Sequence, residues 1–304
     1  MAQAVIGGNP ANVIEMKALK GGGEGVARGS SRMIKLPMLM TASASTRGMA
    51  GADFSDEERE KMYLETVGFY EKELLAKDKD RRIIFVENSG WDIDAFKAKI
   101  GDLPEGQIEF ISLDPNDFDV SKGKGYNELI LINQAIEKSQ TLREAGAFMK
   151  VTGRYPVYNL PDYLHEAEKF IYAGGKFYGD IKDHKVYDFL FPHNTAKWNG
   201  HAAYTVLFAT TMDFYKTKLG PLYSECNDYV GRWVECVWYD ALKEYRGKKG
   251  CGVSLRFKRE PICGGLQGSS AQTIAFSKSN QSLKSRIMRF VGNCIRIFMP
   301  WFWF

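Results

Sequence analysis

The sequence predicts an α/β fold, a mainly parallel sheet flanked by helices, followed by a helical second half and an amphipathic C-terminal tail. Three observations predict it. From Met33 to Val151 short apolar segments alternate with longer amphipathic ones, in the order strand–helix–strand–helix–strand–helix–strand; that rhythm belongs to parallel strands joined by crossover helices. Four of those strands end in polar or glycine residues: Thr41 and Ser43, Asn88 to Gly90, Lys122 to Gly125, and Thr152 to Arg154. Charge is divided along the chain: from Gly247 onward ten Lys and Arg face the single acid Glu260, leaving the preceding 246 residues at a net −5.

Each element has a local reason. Residues 1–32 hold G-G-N-P and G-G-G-E-G with little apolar periodicity and read as a loose N-terminal extension without the apolar core of a signal peptide. M-I-K-L-P-M-L-M-T (Met33 to Thr41) is the first strand. A helix over roughly Asp56 to Ala76 follows, with Ser55 as N-cap and acids in its first turn. R-I-I-F-V-E (Arg82 to Glu87) is the second strand and ends at N-S-G, before a short helix near Asp92 to Ile100. Ile108 to Leu113 is the third strand. K-G-K-G then leads into a helix from about Tyr126 to Glu144, and Ala147 to Val151 is the fourth strand, ending at T-G-R. Beyond it the pattern gives a strand near Val186 to Phe191, helices over roughly Ala202 to Leu219 and Glu225 to Tyr245, and a strand pair near Gly252 to Ile262.

Length and composition bound the rest. With 304 residues, 44% hydrophobic and 26% charged, the chain has enough material for a sizeable core. The five cysteines are scattered, odd in number and without a C-x-x-C pair, so neither a zinc site nor a disulfide framework is expected, and a cytoplasmic setting is the simpler one. No apolar run approaches the length of a membrane span.

The strand ends carry the candidate chemistry, because ligands of open α/β sheets sit beyond the carboxyl ends of the strands. In K-G-K-G-Y-N-E the glycines permit close backbone approach and a helix N-terminus favours an anion, which makes Lys124, Gly125 and Glu128 candidates; a flexible turn with Glu128 completing a cap is the competing reading. K-V-T-G-R offers Lys150, Thr152, Gly153 and the planar donor fork of Arg154 for a diphosphate; a solvated strand exit is the alternative. Asn88 and Gly90 of E-N-S-G can meet a base or ribose edge, or form an Asx turn. Thr41 adds a hydroxyl at the first strand end. Among the acids, Asp92 and Asp94 read as helix-capping residues, and Asp183 and Glu235 are the candidates for a catalytic base, Glu235 being either a surface residue or a buried acid of raised pKa. The four histidines show no metal-ligand spacing, no G-x-S-x-G is present, and no D-x-D follows a strong strand, so no metal site and no cofactor are assigned.

The order T-A-S, F-V-E-N-S-G, K-G-K-G-Y-N-E and F-M-K-V-T-G-R-Y-P-V-Y-N resembles that of a group of bacterial surface-polysaccharide glycosyltransferases of GT-A-like fold, over about Met33 to Ser270. The resemblance implies a nucleotide-sugar donor, a glycan or lipid-linked acceptor, and an acidic–basic pair at Asp183 and Lys185, where D-H-K-V-Y departs from the family's pattern. With no placed D-x-D, it also implies that Lys124, Lys150 and Arg154 neutralise the leaving diphosphate without a divalent ion. Two other classes compete: another transferase of phosphorylated donors, and a nucleic-acid-binding protein using the basic tail.

The tail, residues 271–304, predicts an interfacial amphipathic helix from about Ser282. At about 100° per residue, Arg286, Arg289, Gly292, Asn293 and Arg296 share one arc and apolar residues fill the other, before W-F-W-F ends the sequence. Arg286, Arg289, Arg296, Trp301 and Trp303 are therefore expected at an anionic membrane surface, on the inner face of the cytoplasmic membrane. Clustering of the aromatics at the extreme end argues against nucleic acid as the partner.

Overall fold

The computed structural model describes residues 35–49, 54–101, 103–183, 200–264 and 283–299. The N-terminal extension, the strand expected near Val186 to Phe191, and Trp301 and Trp303 lie outside them. The first half follows the predicted alternation: β1 (Met38–Ala42), α1 (Asp56–Tyr70, continued by a π-turn over Glu71–Leu75), β2 (Ile83–Glu87), α2 (Ile93–Ile100), β3 (Ile108–Ser112), α3 (Lys124–Lys138), α4 (Gln140–Ala145) and β4 (Ala147–Thr152). Ser55 opens α1 through a full capping box: its hydroxyl accepts from the Glu58 N–H at 3.2 Å and the Glu58 carboxylate accepts from the Ser55 N–H at 2.8 Å. Asp92 caps α2, accepting from the N–H groups of Asp94 and Ala95. The single helix expected to Glu144 is broken at Ser139, whose hydroxyl leaves α3 and accepts the Leu142 N–H of α4 at 3.1 Å.

The second half departs further from expectation. An unforeseen helix, α5 (Leu160–Tyr172), precedes two short strands, β5 (Phe177–Tyr178) and β6 (Ile181–Asp183). The segment expected as a helix from Ala202 instead forms β7 (His201–Ala203) and β8 (Leu207–Thr211), and becomes helical only at Met212. Tertiary pairing decides this: β8 fills the place beside β4, where a buried carbonyl and N–H ladder needs a partner. The later helix is shorter than expected, α6 (Val234–Leu242). The strand pair reduces to β9 (Val253–Ser254) and an isolated bridge from Val157 to Cys263. The C-terminal helix, α7 (Leu283–Phe298), is where the sequence places it.

Among the described residues, seven strands form one sheet in the order β3-β2-β1-β4-β8-β5-β9, while β6 and β7 pair separately. β1 to β4 are mutually parallel, and β8 runs antiparallel to both β4 and β5. β1 and β2 are buried along their whole lengths, which is why they read as continuous apolar runs. Alternate side chains feed two cores: Met38 and Met40 pack with Tyr63 and Tyr163 from α1 and α5, and Leu39 packs with Leu131 and Trp238 from α3 and α6.

Candidate active site

The strand order places a crevice. From β1 the chain runs outward to β2 and β3, then returns to β4 on the other side of β1. At such a reversal the helices diverge, and a ligand site opens beyond the carboxyl ends of the two strands. The two ends are tied there: the Gly153 N–H donates to the Thr41 carbonyl at 3.0 Å. A Cβ at Gly153 would lie 2.8 Å from that carbonyl, so only glycine lets the strand exits close. A cavity of about 470 Å³ opens at this point, lined by Thr41 and Ser43 from the β1 exit and by Thr152 and Arg154 from the β4 exit. Lys124, Gly125 and Glu128 of α3 and Glu235 of α6 complete the set of predicted residues on its wall; Arg59, Asp228 and Trp233 line it as well.

The cations divide into two kinds. Lys150 points from β4 into the core, its side chain 1% exposed. Its ammonium donates to Thr152 Oγ1 and to the Thr205 carbonyl, both at 2.8 Å, and pairs with Glu128 Oε1 at 2.5 Å. All three donors of an ammonium are thereby used, and the group does not face the cavity. Burial lowers its pKa, and the Glu128 charge opposes that only in part. The expectation that Lys150 contacts a donor phosphate is corrected: it is a buried strut that holds Glu128, which also accepts from the Thr41 hydroxyl at 3.1 Å. Arg154 is of the other kind. It lies 5.0 Å over the Tyr155 ring, and its buried Nη1 makes no hydrogen bond. A buried guanidinium nitrogen left unsatisfied at a cavity wall is a donor awaiting an acceptor. Arg59, unremarkable in the sequence as part of a charged first helical turn, donates through Nε to the Ser43 carbonyl at 2.9 Å and fixes the loop after β1.

The glycine-rich turn behaves differently from its sequence reading. The anion at the N-terminus of α3 is the protein's own: Asp228 Oδ2 accepts the Lys124 N–H at 2.7 Å and also the Gly125 N–H. Burial raises the Asp228 pKa, and the two backbone N–H groups act against that. Gly123 has φ +92°, and a Cβ there would fall 2.5 Å from the Asp228 side chain. A Cβ at Gly125 would fall 2.9 Å from Val234. The glycines therefore admit a carboxylate and a neighbouring helix from the same chain. Nothing in the local sequence of Asp228 signalled this, because its partner is more than a hundred residues away.

Glu235 stands in the first turn of α6 with its carboxyl on the cavity wall. Burial pushes its pKa up to about 7; Glu128 and Asp228 push the same way, and its own backbone N–H and Lys150 oppose them. A carboxylate poised there suits general base work. The other acid singled out in the sequence, Asp183, is not on the cavity wall. At the end of β6 it pairs with Arg246, accepts from the Tyr239 hydroxyl at 3.1 Å and lies 3.1 Å from His201 Nδ1. Its environment is that of a structural ion pair, with 4% of the side chain exposed.

Asn88 and Gly90 also stand off the cavity. Asn88 Oδ1 accepts from the Ser43 hydroxyl at 2.6 Å, and Nδ2 reaches the Asn127 carbonyl at 3.4 Å, so its amide links three elements. The turn itself is organised by Glu87, whose carboxylate accepts the N–H groups of Ala44, Ser89 and Trp91. Among the described residues, no three His, Cys, Asp or Glu side chains are grouped as metal ligands.

No family model matches the chain, and no curated protein matches it. Among solved structures it is similar to mouse xyloside xylosyltransferase 1, at 10% identity over 73% of this chain and 84% of that one, with a TM-score of 0.40. It is also similar to the galactosyltransferase LgtC in complex with donor and acceptor sugar analogs, at 12% identity over 74% of each chain and a TM-score of 0.44. A third is the mannosyltransferase Ktr4p from S. cerevisiae in complex with GDP, at 12% identity, 86% and 83% coverage and a TM-score of 0.41.

Proposed function

We propose that the chain is a glycosyltransferase that takes a sugar from a nucleotide-sugar donor and places it on a glycan or lipid-linked acceptor. The single observation carrying this reading is the presence, on one cavity wall at the sheet's reversal point, of an Arg154 guanidinium with its Nη1 unsatisfied and of the Glu235 carboxyl, whose pKa burial pushes up to about 7. Arg154 meets the diphosphate. Glu235 takes the proton of the acceptor hydroxyl as its oxygen bonds to the anomeric carbon. The bond from that carbon to the diphosphate breaks with its electron pair going to the nucleoside diphosphate, whose growing charge Arg154 stabilises. Thr41 and Thr152 supply hydroxyls beside it, and Lys150 acts at one remove by holding Glu128. No step here calls on a divalent ion, and we take the transfer to be metal-independent.

The competing nucleic-acid reading loses part of its motive, since Arg296 of the basic tail is spent on an internal ion pair with Asp180. Thermal shift separates the two. A nucleoside diphosphate at a hundredfold excess over its Kd adds about 2.7 kcal/mol to stability, and DNA adds nothing. Stabilisation by DNA and by no nucleoside diphosphate overturns the proposal.

A further inference from the structure

The C-terminal helix is docked with its polar side inward. Arg296 Nη1 lies 3.0 and 2.9 Å from the two carboxylate oxygens of Asp180 and 3.2 Å from the Phe257 carbonyl. Asn293 Oδ1 accepts the Glu260 N–H at 3.0 Å, Gly292 is buried, and Arg289 Nε and Nη2 are enclosed. Two of the three arginines expected to reach a membrane surface therefore face the protein; Arg286 alone is exposed. The apolar side faces outward. Leu283, Phe290 and Phe298 are 72%, 70% and 73% exposed, and Ile287, Val291 and Ile297 are exposed with them. At about 100° per residue these six fall within an arc of about 120°. Of the eleven large hydrophobics exposed among the described residues, seven lie between Leu283 and Met299, so the patch is a concentration rather than scatter.

We propose that this face is a bilayer-docking surface that works by burying apolar side chains among lipid acyl chains, with Arg289 and Arg296 on the opposite side held against the body. The occupant follows from what surrounds the face. The sequence continues past Pro300 into W-F-W-F, residues suited to the headgroup boundary, and exposed Arg286 borders the apolar arc where a lipid phosphate lies. A second copy of the chain fits less well. The 16-residue helix is about 24 Å long and about 10 Å across, so two such faces cover a few hundred Å² each, short of the roughly 800 Å² per partner of a stable interface. The proposal goes beyond the transfer reading and does not depend on it, because the assay below reads binding and no activity.

The test is sedimentation of the full chain with vesicles of pure phosphatidylcholine and of phosphatidylcholine mixed with phosphatidylserine, at low and high salt. The expected result is pelleting with both, retained at high salt. Phe290→Ser and Phe298→Ser should each lower the partition coefficient about tenfold or more, the share of a buried phenylalanine. Melting temperature should not change, since both side chains stand in solvent. Protein left in the supernatant with both vesicle types overturns the proposal. So does pelleting with anionic vesicles alone that high salt abolishes, which assigns the contact to cations. A concentration-dependent dimer in light scattering that Phe290→Ser disrupts, without vesicle binding, assigns the face to self-association instead.

Discussion

Replacing Arg154 and replacing Lys150 should give opposite signatures, although the sequence sets the two side by side in one motif. Arg154→Ala removes a guanidinium with an unused donor at the cavity wall. The loss of a charge-assisted hydrogen bond costs about 1.5–3 kcal/mol, so a nucleoside diphosphate should bind roughly 10- to 150-fold more weakly. The parent nucleoside, which lacks the phosphates, should bind as before. Lys150→Met keeps the length of the stem but strands the Glu128 carboxylate and the Thr205 carbonyl, both of which the ammonium satisfies. Breaking a buried pair in this way costs about 3–5 kcal/mol of folding stability, at about 2–4 °C of melting temperature per kcal/mol. Calorimetric titration with the nucleoside diphosphate and the nucleoside, beside thermal unfolding of both variants, reads the two effects separately. Equal loss for both ligands in Arg154→Ala refutes the phosphate contact. A Lys150→Met variant that melts like the wild type yet loses diphosphate affinity refutes the strut.

Glu235→Gln should lower the transfer rate by about a hundredfold or more while leaving donor affinity intact, since a base acts on the acceptor proton; wild-type rate should climb with pH through about 7, the value burial gives this carboxyl, and a flat profile contradicts the assignment. The same raised pKa has a sign in stability. The folded state holds the Glu235 proton more tightly than the unfolded chain, so its contribution falls as pH rises from the unfolded value of about 4.5 towards 7, and the Gln variant should show a flatter melting profile over that window. Asp183→Asn should instead leave the rate near normal and lower stability by about 1–3 kcal/mol through its pair with Arg246. Gly123→Ala should destabilise by at least about 1 kcal/mol, because φ +92° and the Asp228 side chain 2.5 Å from the new Cβ act together; an unchanged denaturation midpoint argues against that packing. Turnover should survive EDTA, and activity lost to chelator and restored by magnesium or manganese contradicts metal independence.

The first half of the fold was legible because its signals are local. Apolar runs bounded by caps and turns gave β1 to β4 to within a few residues at their ends, and Ser55 and Asp92 cap as their positions suggest. The second half was set by long-range pairing. V-L-F-A-T-T around Leu207 reads helical beside its flanks, yet β8 lies between β4 and β5, a place no local pattern announces. The helix α5 did carry a signal, apolar residues at Leu160, Tyr163, Leu164, Ala167 and Ile171, all of them buried. The site divides in the same way. Thr41, Thr152 and Arg154 at strand exits and Glu128 on α3 line one cavity. Sequence adjacency could not separate Lys150 from Arg154: both lie on the Thr152 side of β4, and what takes up the lysine is its burial against Thr152, Glu128 and the Thr205 carbonyl, partners that the motif does not show. Nor could it reveal Asp228, which occupies the helix terminus that the glycine-rich turn seemed to offer an external anion. For the tail, angular arrangement identified two faces but not which one the body claims; that is decided by Asp180 and Glu260, far away in sequence.

Whether this cavity performs sugar transfer is tested by incubating the purified chain with a panel of nucleotide sugars and following release of the nucleoside diphosphate with and without added acceptor glycan. One donor should be consumed, slowly by water and faster with acceptor, and Arg154→Ala and Glu235→Gln should each suppress the release. A panel in which no nucleotide sugar binds or is turned over, or turnover that both substitutions leave unchanged, contradicts sugar transfer at this cavity.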